Sequence, residues 1–285
     1  MQGVEKIEFR RTRTLTEIVN VTFTFIRQNF KKLGKAILFI VGPVILITGL
    51  LSGLIEANFL LRSPVGNVSI SFVTYFLITM SLTLITGALL TSVVYEYINC
   101  YMDKDFDEFD VDQIWKGTTK HLWKVFLATI VVTLFTFVGA ILCLLPGIYL
   151  GVALSFTLFV LIREQTHIGQ AISRSFELVS GHWWFTFGLL FVIIIIQTAL
   201  SLIFNVPSYT VSFLFQLHST TEATDSASYR YLIMLTTLIA TLGYYVFYAI
   251  PLIALAFHYN NLVERKEAAG LLQEVEGLGA QESEE

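Results

Sequence analysis

The stretch RSFELVSGHWWFTFGLLF, residues 174–191, holds the transition on which the fold depends. Just before this stretch and in its first half, apolar or small residues recur at helical spacing, at Ile168, Ala171, Ile172, Ser175, Phe176 and Val179. A helix with one such face lies in the headgroup plane of a membrane rather than across it. Gly181 then breaks the helix, and Trp183 and Trp184 suit the membrane interface just before an apolar run. The stretch therefore predicts an in-plane amphipathic helix that leads into a transmembrane helix.

The composition of the whole chain is that of a membrane protein. Hydrophobic residues make up 55% of it and charged residues only 14%, against roughly 25% charged in a soluble domain. Stretches without Asp, Glu, Lys or Arg approach or exceed the roughly 20 residues that cross a bilayer. They predict an all-α integral membrane protein with spans at 36–55, 71–95, 125–145, 147–162, 183–205 and 231–257. Pro146-Gly147 predicts a tight turn between the third and fourth spans.

The orientation follows from the loops that carry Lys and Arg, because positively charged loops stay in the cytoplasm. With the N-terminus inside, the outer loops hold only Arg62 and Arg230. The other sixteen of the 18 Lys and Arg residues (18 − 2 = 16) fall on the inner side. We therefore predict that both termini are cytoplasmic.

The opening pattern recurs earlier in the chain at constant offsets. Ile18 and Ala171 stand 153 positions apart, and the whole face Leu15, Ile18, Val19, Thr22, Phe23, Ile26, Asn29 and Phe30 maps onto 168–183 with that offset. A weaker copy, 92 positions after the first, precedes the third span. We interpret the chain as three transmembrane hairpins, each preceded by an in-plane amphipathic cytoplasmic helix. The repeats are about 14–97, 110–163 and 168–258, within a single domain 14–262, after a basic segment 1–13 and before an acidic tail 263–285 that we expect to be disordered.

Three stretches carry a family resemblance: LTEIVNVTFTFIRQNFKKL, LLPGIYLGVALSFTLFVLIRE and AISRSFELVSGHWWFTFG. They resemble the six-span membrane domain that precedes the catalytic domain in some bacterial glycerophosphodiester phosphodiesterases, and its stand-alone inner-membrane relatives. The resemblance covers residues 14 to 262 and implies a multi-pass protein of the bacterial inner membrane. Only some two dozen residues follow Asn261, so we expect no phosphodiesterase domain, and the family supplies no catalytic residue to transfer.

The sequence does not indicate an enzyme. None of the six predicted spans contains Asp, Glu, Lys or Arg between its ends, whereas proton pumps and intramembrane hydrolases depend on such groups. There is no HExxH motif, phosphate-binding glycine loop or nucleophile elbow. Cys100 and Cys143 lack metal-ligand spacing. We expect no cofactor, no metal and no nucleic-acid partner.

Polar residues accumulate where the second helix of each hairpin leaves the membrane, close to the in-plane helices. Together they predict a cytoplasmic ring composed of Arg27, Asn29, Lys31, Glu96, His121, Arg163, Arg174, Glu177, His182 and His258. One interpretation is a site for the headgroups of anionic phospholipids in the cytoplasmic leaflet, because each cation near such a surface contributes about 1 kcal/mol. The other is ordinary interface anchoring and ion pairing. The resulting hypothesis is a non-enzymatic protein that engages lipid, or that scaffolds a protein partner or a second copy of itself.

An alternative function, a transporter or lipid translocator, depends on a cavity between the repeats. The candidate lining is Gln197, Tyr244, Tyr245, Tyr248 and Pro251. Gln197 and Tyr244 are expected at similar depths on neighbouring helices, where they could bond each other or a substrate. Pro43 and Pro251 predict helix kinks. The patterns Gly49-x-x-x-Gly53 and Gly147-x-x-x-Gly151 permit close helix packing, within the chain or in a dimer.

Overall fold

The computed structural model describes residues 6–62, 70–104, 109–218 and 226–267, and within these ranges it contains helices but no strand. Six helical segments are long and apolar enough to cross a membrane, which confirms the prediction of an all-α chain with six membrane-length helices. These segments are Leu15–Asn58, Val73–Asp103, Val111–Leu142, Leu144–Arg163, Trp183–Phe215 and Ser228–Glu267. By length and composition, the chain is a multi-pass membrane protein.

The segments are built from nine α-helices in the described ranges and one short π-helix. In chain order the α-helices are α1 (Leu15–Ala36), α2 (Gly42–Arg62), α3 (Ile70–Asp103), α4 (Val111–Leu142), α5 (Leu144–Ala153), α6 (Thr157–Arg163), α7 (Ile168–Val179), α8 (Trp183–His218) and α9 (Ser226–Glu267). The π-helix Ile37–Val41 joins α1 to α2. Of the predicted acidic tail, residues 263–267 complete α9, and the rest lies outside the described residues.

Only the third of the three expected amphipathic helices is separate from the span that follows it. Gly181, between α7 and α8, has a φ of +80°, which glycine adopts at no steric cost. The corresponding positions of the other copies are Gln28, 153 residues earlier, and Lys120, 61 residues earlier, and both residues favour helix. Consequently α1 runs through the π-helix into α2 without a loop, and α4 is a single helix.

The buried positions of α1, α4 and α7 follow one register. In α1 the buried residues are Ile18, Thr22, Phe25, Asn29, Leu33 and Ala36. The positions 92 further along include Ile114, Gly117, Val125 and Ala128, which are buried in α4. The positions 153 further along include Ala171, Ser175 and Leu178, which are buried in α7. Each of the three helices therefore turns the corresponding face toward the bundle.

The prolines act on the helices in different ways. Pro43 has no amide hydrogen for the carbonyl of Phe39, and just before it the chain widens into the π-helix, where the Gly42 amide donates to the carbonyl of Ile37. Pro251 lies inside α9, which continues on both sides of it. Pro146 lies in the first turn of α5, a position that tolerates proline. The predicted turn at Pro146-Gly147 was wrong by a few residues, because the break falls at Cys143, whose backbone is extended.

Small residues mark the closest helix contacts. A Cβ on Gly53 would lie 2.8 Å from the Cα of Met234 in α9, and a Cβ on Gly49 would lie 2.7 Å from the side chain of Leu238. A Cβ on Gly147 would lie 2.7 Å from the Cα of Ala140 across the α4–α5 hairpin. Both predicted small-residue patterns therefore pack helices within this chain.

The core of the protein is concentrated at one end of the bundle. Buried residues are dense from Ala88 to Tyr101 on α3 and from Ala249 to Leu262 on α9. At this end α3, α6 and α9 finish, and α1, α4 and α7 begin. Because it also holds charged side chains at Arg13, Lys104, Arg163, Arg174 and Arg265, we call it the charged end.

Candidate functional site at the charged end

Residues 6–14 form an arm that is docked into the charged end. Phe9 is 4% exposed; its ring stacks on Phe257 at 4.1 Å between centroids and meets Phe25 and Tyr101 edge-on. The backbone amide of Ile7 donates to the Tyr101 hydroxyl at 2.9 Å. The part of the predicted basic segment that the structure describes, residues 6–13, is therefore packed on the bundle and not separate from it.

Arg13 anchors the arm on α9. Its guanidinium donates to the backbone oxygens of Phe9 and Glu8 and lies over the Phe257 ring, 5.5 Å from its centroid. Burial lowers the pKa of Arg13, and neighbouring Arg11 adds to that shift, while Glu8 opposes it. Thr14 then starts α1 with a capping box, in which Thr14 and Glu17 satisfy each other's backbone amides.

Asn261 ties this arm to the end of α9. Its Oδ1 accepts from the Arg13 amide at 2.7 Å and from Nε of Arg265 at 3.2 Å. Arg265 also donates to the Arg13 carbonyl at 2.9 Å. Since Oδ1 accepts both bonds, Nδ2 of Asn261 faces Nδ1 of His258, 3.3 Å away, and donates to it.

The hydrogen-bond chain continues from His258 into α8. With Nδ1 accepting, Nε2 carries the proton and donates to Thr186 Oγ1 at 2.9 Å, and the Thr186 hydroxyl donates to the carbonyl of His182 at 3.1 Å. His258, Thr186 and Asn261 are each 0% exposed. His258 was a candidate for the headgroup or interfacial site; both of its ring nitrogens bond partners within the core, so neither is free to bind a headgroup.

A second predicted group, Arg163, Arg174 and Glu177, is joined in ion pairs that link four helices. Nη1 of Arg163 bonds both carboxylate oxygens of Asp103, at 2.8 and 2.9 Å, and so links α6 to α3. Arg174 on α7 contacts Glu177 at 3.1 Å and, beyond its own helix, Glu164 at 3.4 Å and Glu267. These arginines have local carboxylate partners and serve as cross-links.

The net shift at Arg174 reflects this pairing. Burial alone lowers the pKa of its guanidinium, but the hydrogen bonds to Glu267 and Glu177 and the charges of Glu267 and Glu164 more than offset burial and raise the pKa overall. Tyr259 on α9 donates to Glu164 at 2.6 Å, which extends the same network. The charge of Arg174 is therefore held in place by the fold.

The predicted residues of α1 divide between core and surface. Asn29 is 1% exposed, donates to the Phe25 carbonyl at 2.9 Å and accepts from the Tyr97 hydroxyl at 2.8 Å. Asn29, a candidate for the headgroup or interfacial site, therefore belongs to the core and is not exposed to a headgroup. Arg27 and Lys31 are exposed, and neither makes a hydrogen bond or ion pair with any described residue.

Glu96 and His121 line one cleft between α3 and α4, with a volume of about 410 Å³. The predicted ring thus brings these two residues together, as it does Arg163 with Arg174 in a separate cleft of about 560 Å³. His182 lies half-buried at the start of α8, and its Nδ1 has no partner among the described residues. The ring is a set of distinct clusters rather than one continuous site.

The residues proposed for a transport cavity, Gln197, Tyr244, Tyr245, Tyr248 and Pro251, lie outside the described clefts of the charged end. Gln197 is 8% exposed, Tyr244 is 39% exposed, and no hydrogen bond joins them among the described residues. Tyr244 stacks on Tyr248 at 5.7 Å, and Tyr245 donates to the Thr83 carbonyl at 3.4 Å. The four clefts described, of about 410 to 560 Å³, are all lined by residues of the charged end and none by these residues or Pro251.

The sequence analysis did not predict one carboxylate that lies within a membrane-length helix. Glu56 lies inside α2, because the helix continues to Arg62 beyond the predicted end of the span at residue 55. Its Oε2 accepts from Thr237 of α9 at 2.8 Å. The signal was an acidic residue directly after an apolar run. Among the described residues, no group of three or more His, Cys, Asp or Glu is placed to hold a metal ion.

Comparison with known proteins adds no relative from which a role could be transferred. No family model, no curated protein and no solved structure matches this chain. The resemblance to the membrane domain of phosphodiesterases therefore stays a prediction. Sequence and structure together identify a multi-pass membrane protein whose charged end carries a docked arm, a buried polar network and clefts lined by charged residues.

Proposed function

We propose that this protein is a non-enzymatic protein of the bacterial inner membrane that binds anionic phospholipid headgroups at its charged end, with both termini in the cytoplasm. The observation that carries the proposal is the outward stripe of α1. Exposed aromatic rings and exposed cations lie together along this stripe, at Phe23, Arg27, Phe30, Lys31 and Lys35. Such a combination suits the boundary between headgroups and acyl chains.

The stripe changes along α1 from mixed aromatic and cationic residues to apolar residues, which supports this placement. Phe23 and Phe30 are 38% and 67% exposed, and the three cations are spaced four residues apart, so they share one face of the helix. From Leu38 onward the same stripe is wholly apolar, and Leu38 and Phe39 are 67% and 65% exposed. The cations therefore stand where a lipid-facing surface would meet the phosphate layer.

Corresponding positions of the other two repeats carry residues of the same interfacial kind. Trp123 and Trp184 stand 92 and 153 positions after Lys31, and they are 68% and 78% exposed. Lysine and tryptophan both anchor helices at the membrane interface. The shared register of burial in α1, α4 and α7 supports the same three-repeat interpretation. In this proposal α7, which alone is separate from its span, lies in the headgroup plane.

The test replaces the stripe cations Arg27, Lys31 and Lys35 with Gln. Each near-surface charge contributes about 1 kcal/mol of attraction to an anionic leaflet, so their joint loss corresponds to about 3 kcal/mol and a roughly 100-fold weaker retention of anionic lipid. Native mass spectrometry of protein released from nanodiscs with equal phosphatidylglycerol and phosphatidylcholine measures the retention. The matched control is the charge-preserving set R27K, K31R and K35R, which should retain phosphatidylglycerol like the wild type.

The proposal fails if the Gln variant folds and keeps the wild-type ratio of phosphatidylglycerol to phosphatidylcholine. It also fails if the charge-preserving control loses that ratio to the same extent, since the shape of the side chains and not their charge would then be responsible. Thermal unfolding of each variant in detergent establishes that the fold is intact. The three residues are exposed and make no hydrogen bond or ion pair with another described residue.

A further inference from the structure

The cleft between α3 and α4 contains a carboxylate that the core does not neutralise. Its walls are residues of α3, residues of α4 and the end of α6, among them Glu96, Asp103, Lys104, Lys116, Gly117 and Lys120. Its volume of about 410 Å³ is in the range of small-ligand sites. Glu96 is half-buried, and no cation among the described residues lies within ion-pair distance of it.

A glycine makes room for this carboxylate. A Cβ placed on Gly117 would lie only 1.9 Å from Oε1 of Glu96. The side chain of Glu96 therefore reaches against the backbone of α4, at a point where any larger residue would displace it. Gly117 is itself buried inside a continuous helix, a position where glycine is destabilising relative to alanine. The local arrangement favours keeping Glu96 inside the cleft.

The lysines at the rim of the cleft have only weak partners or none among the described residues. Asp103 is engaged by Arg163 from outside the cleft. Lys104 donates to the neutral amide of Gln113 at 3.0 Å, and Lys116 pairs with exposed Asp112 at 2.6 Å. Such a pair on a helix surface contributes little and exchanges readily. Lys120 is exposed and makes no hydrogen bond or close ion pair within the described part of the chain.

We propose that this cleft binds a phosphoethanolamine group, with the ammonium against Glu96 and the phosphate against Lys120 and Lys104. A ligand that is only anionic would face the carboxylate, and a ligand that is only cationic would face the lysines. A dipolar ligand satisfies both. Ethanolamine fits better than choline, because its ammonium carries N–H donors for the Glu96 carboxylate, and a trimethylammonium carries none.

The site is separate from the α1 stripe, and it rests on the proposed function only in placing lipid headgroups at the charged end. The same chemistry occurs in phosphatidylethanolamine and in soluble phosphoethanolamine. Two measurements distinguish the sources: native mass spectrometry from nanodiscs with equal phosphatidylethanolamine and phosphatidylcholine of matched acyl chains, and calorimetric titration of the purified protein with soluble phosphoethanolamine.

The expected result is an enrichment of phosphatidylethanolamine over phosphatidylcholine of about tenfold in the wild type, lost in E96Q. Lys120→Gln, on the exposed rim, should also lose it, which keeps the test decisive if E96Q does not fold. The control is Asp112→Asn, which removes a carboxylate from the same helix outside the cleft lining and should keep the enrichment. Binding of the soluble compound to the wild type but not to E96Q, without lipid enrichment, supports the site and assigns it a soluble ligand.

The proposal is overturned if the wild type prefers neither form of phosphoethanolamine, or if both E96Q and K120Q keep the preference. Retention of phosphatidylglycerol, which the stripe of α1 is expected to govern, should not change in E96Q. A loss of phosphatidylethanolamine selectivity and a loss of anionic lipid are thus separate results. Failure of one proposal does not imply failure of the other.

Discussion

The hydrogen-bond chain through Asn261 provides a sharp test of how the arm is held. Replacing Asn261 with Ala removes the acceptor of the buried Arg13 amide and the donor to Nδ1 of His258. A buried polar group left without a partner costs about 1–3 kcal/mol, so two such groups correspond to a loss of about 4 kcal/mol in the free energy of unfolding. Arg265 keeps its bond to the Arg13 carbonyl, which limits the loss.

The neighbouring Asn260 is a matched control. It has the same side chain, is 4% exposed, and donates only to the carbonyl of Ala256 in its own helix, at 2.8 Å. Replacing Asn260 with Ala should therefore cost about 1 kcal/mol. The free energies of unfolding of the two variants should therefore differ by about 3 kcal/mol. This difference measures the connection between the arm, α9 and α8, because truncation of a buried asparagine is common to both variants.

Two assays measure this difference. Thermal unfolding in detergent compares the stability of both variants with that of the wild type. Trypsin cleavage after Arg10 and Arg11, both exposed on the arm, reports release of the arm and should be at least about tenfold faster in N261A than in N260A. Equal losses of stability, or an arm equally protected from trypsin in both variants, would show that the hydrogen-bond chain does not hold the arm.

Two further predictions concern helix packing and orientation. Gly53→Ala should lower the free energy of unfolding by about 1–3 kcal/mol, because its Cβ would meet the backbone of Met234. The control Gly34→Ala, with nothing within 4 Å of the added atom, should not lower it. Equal thermal midpoints of the two variants would contradict the tight contact of α2 with α9. The wild-type cysteines test the proposed orientation, because Cys143 is exposed at the α4–α5 turn and Cys100 is buried near the charged end. A membrane-impermeant maleimide added to intact spheroplasts should therefore label Cys143. Labelling of Cys143 only after the membrane is opened would reverse the orientation.

Hydropathy located the membrane helices because the free energy of transferring a side chain to lipid is nearly a local property of the sequence. It did not locate their ends. The second predicted span ended at residue 95, but α3 continues to Asp103, and the first ended before Glu56, which is inside α2. A helix keeps its backbone hydrogen bonds past the edge of the apolar run, so the apolar run is shorter than the helix.

The amphipathic pattern predicted one apolar face on α1, but the structure divides that face. Ile18 and Thr22 are buried in the bundle, whereas Phe23 and Phe30 are exposed along the outward stripe. Lipid tails are as apolar as a protein core, so a pattern of apolar residues does not distinguish contact with lipid from contact with another helix.

The polar residues show most clearly which decisions belong to the tertiary structure. Composition and periodicity by themselves determined an all-helical membrane chain with six long apolar segments and located its polar residues near the ends of those segments. Only the fold decided that Asn29 and His258 are core residues, that Arg163 and Arg174 are cross-links, and that Arg27 and Lys31 remain exposed. The reason is physical: the role of a polar side chain depends on the partners that arrive from distant segments, and local sequence carries almost no information about them.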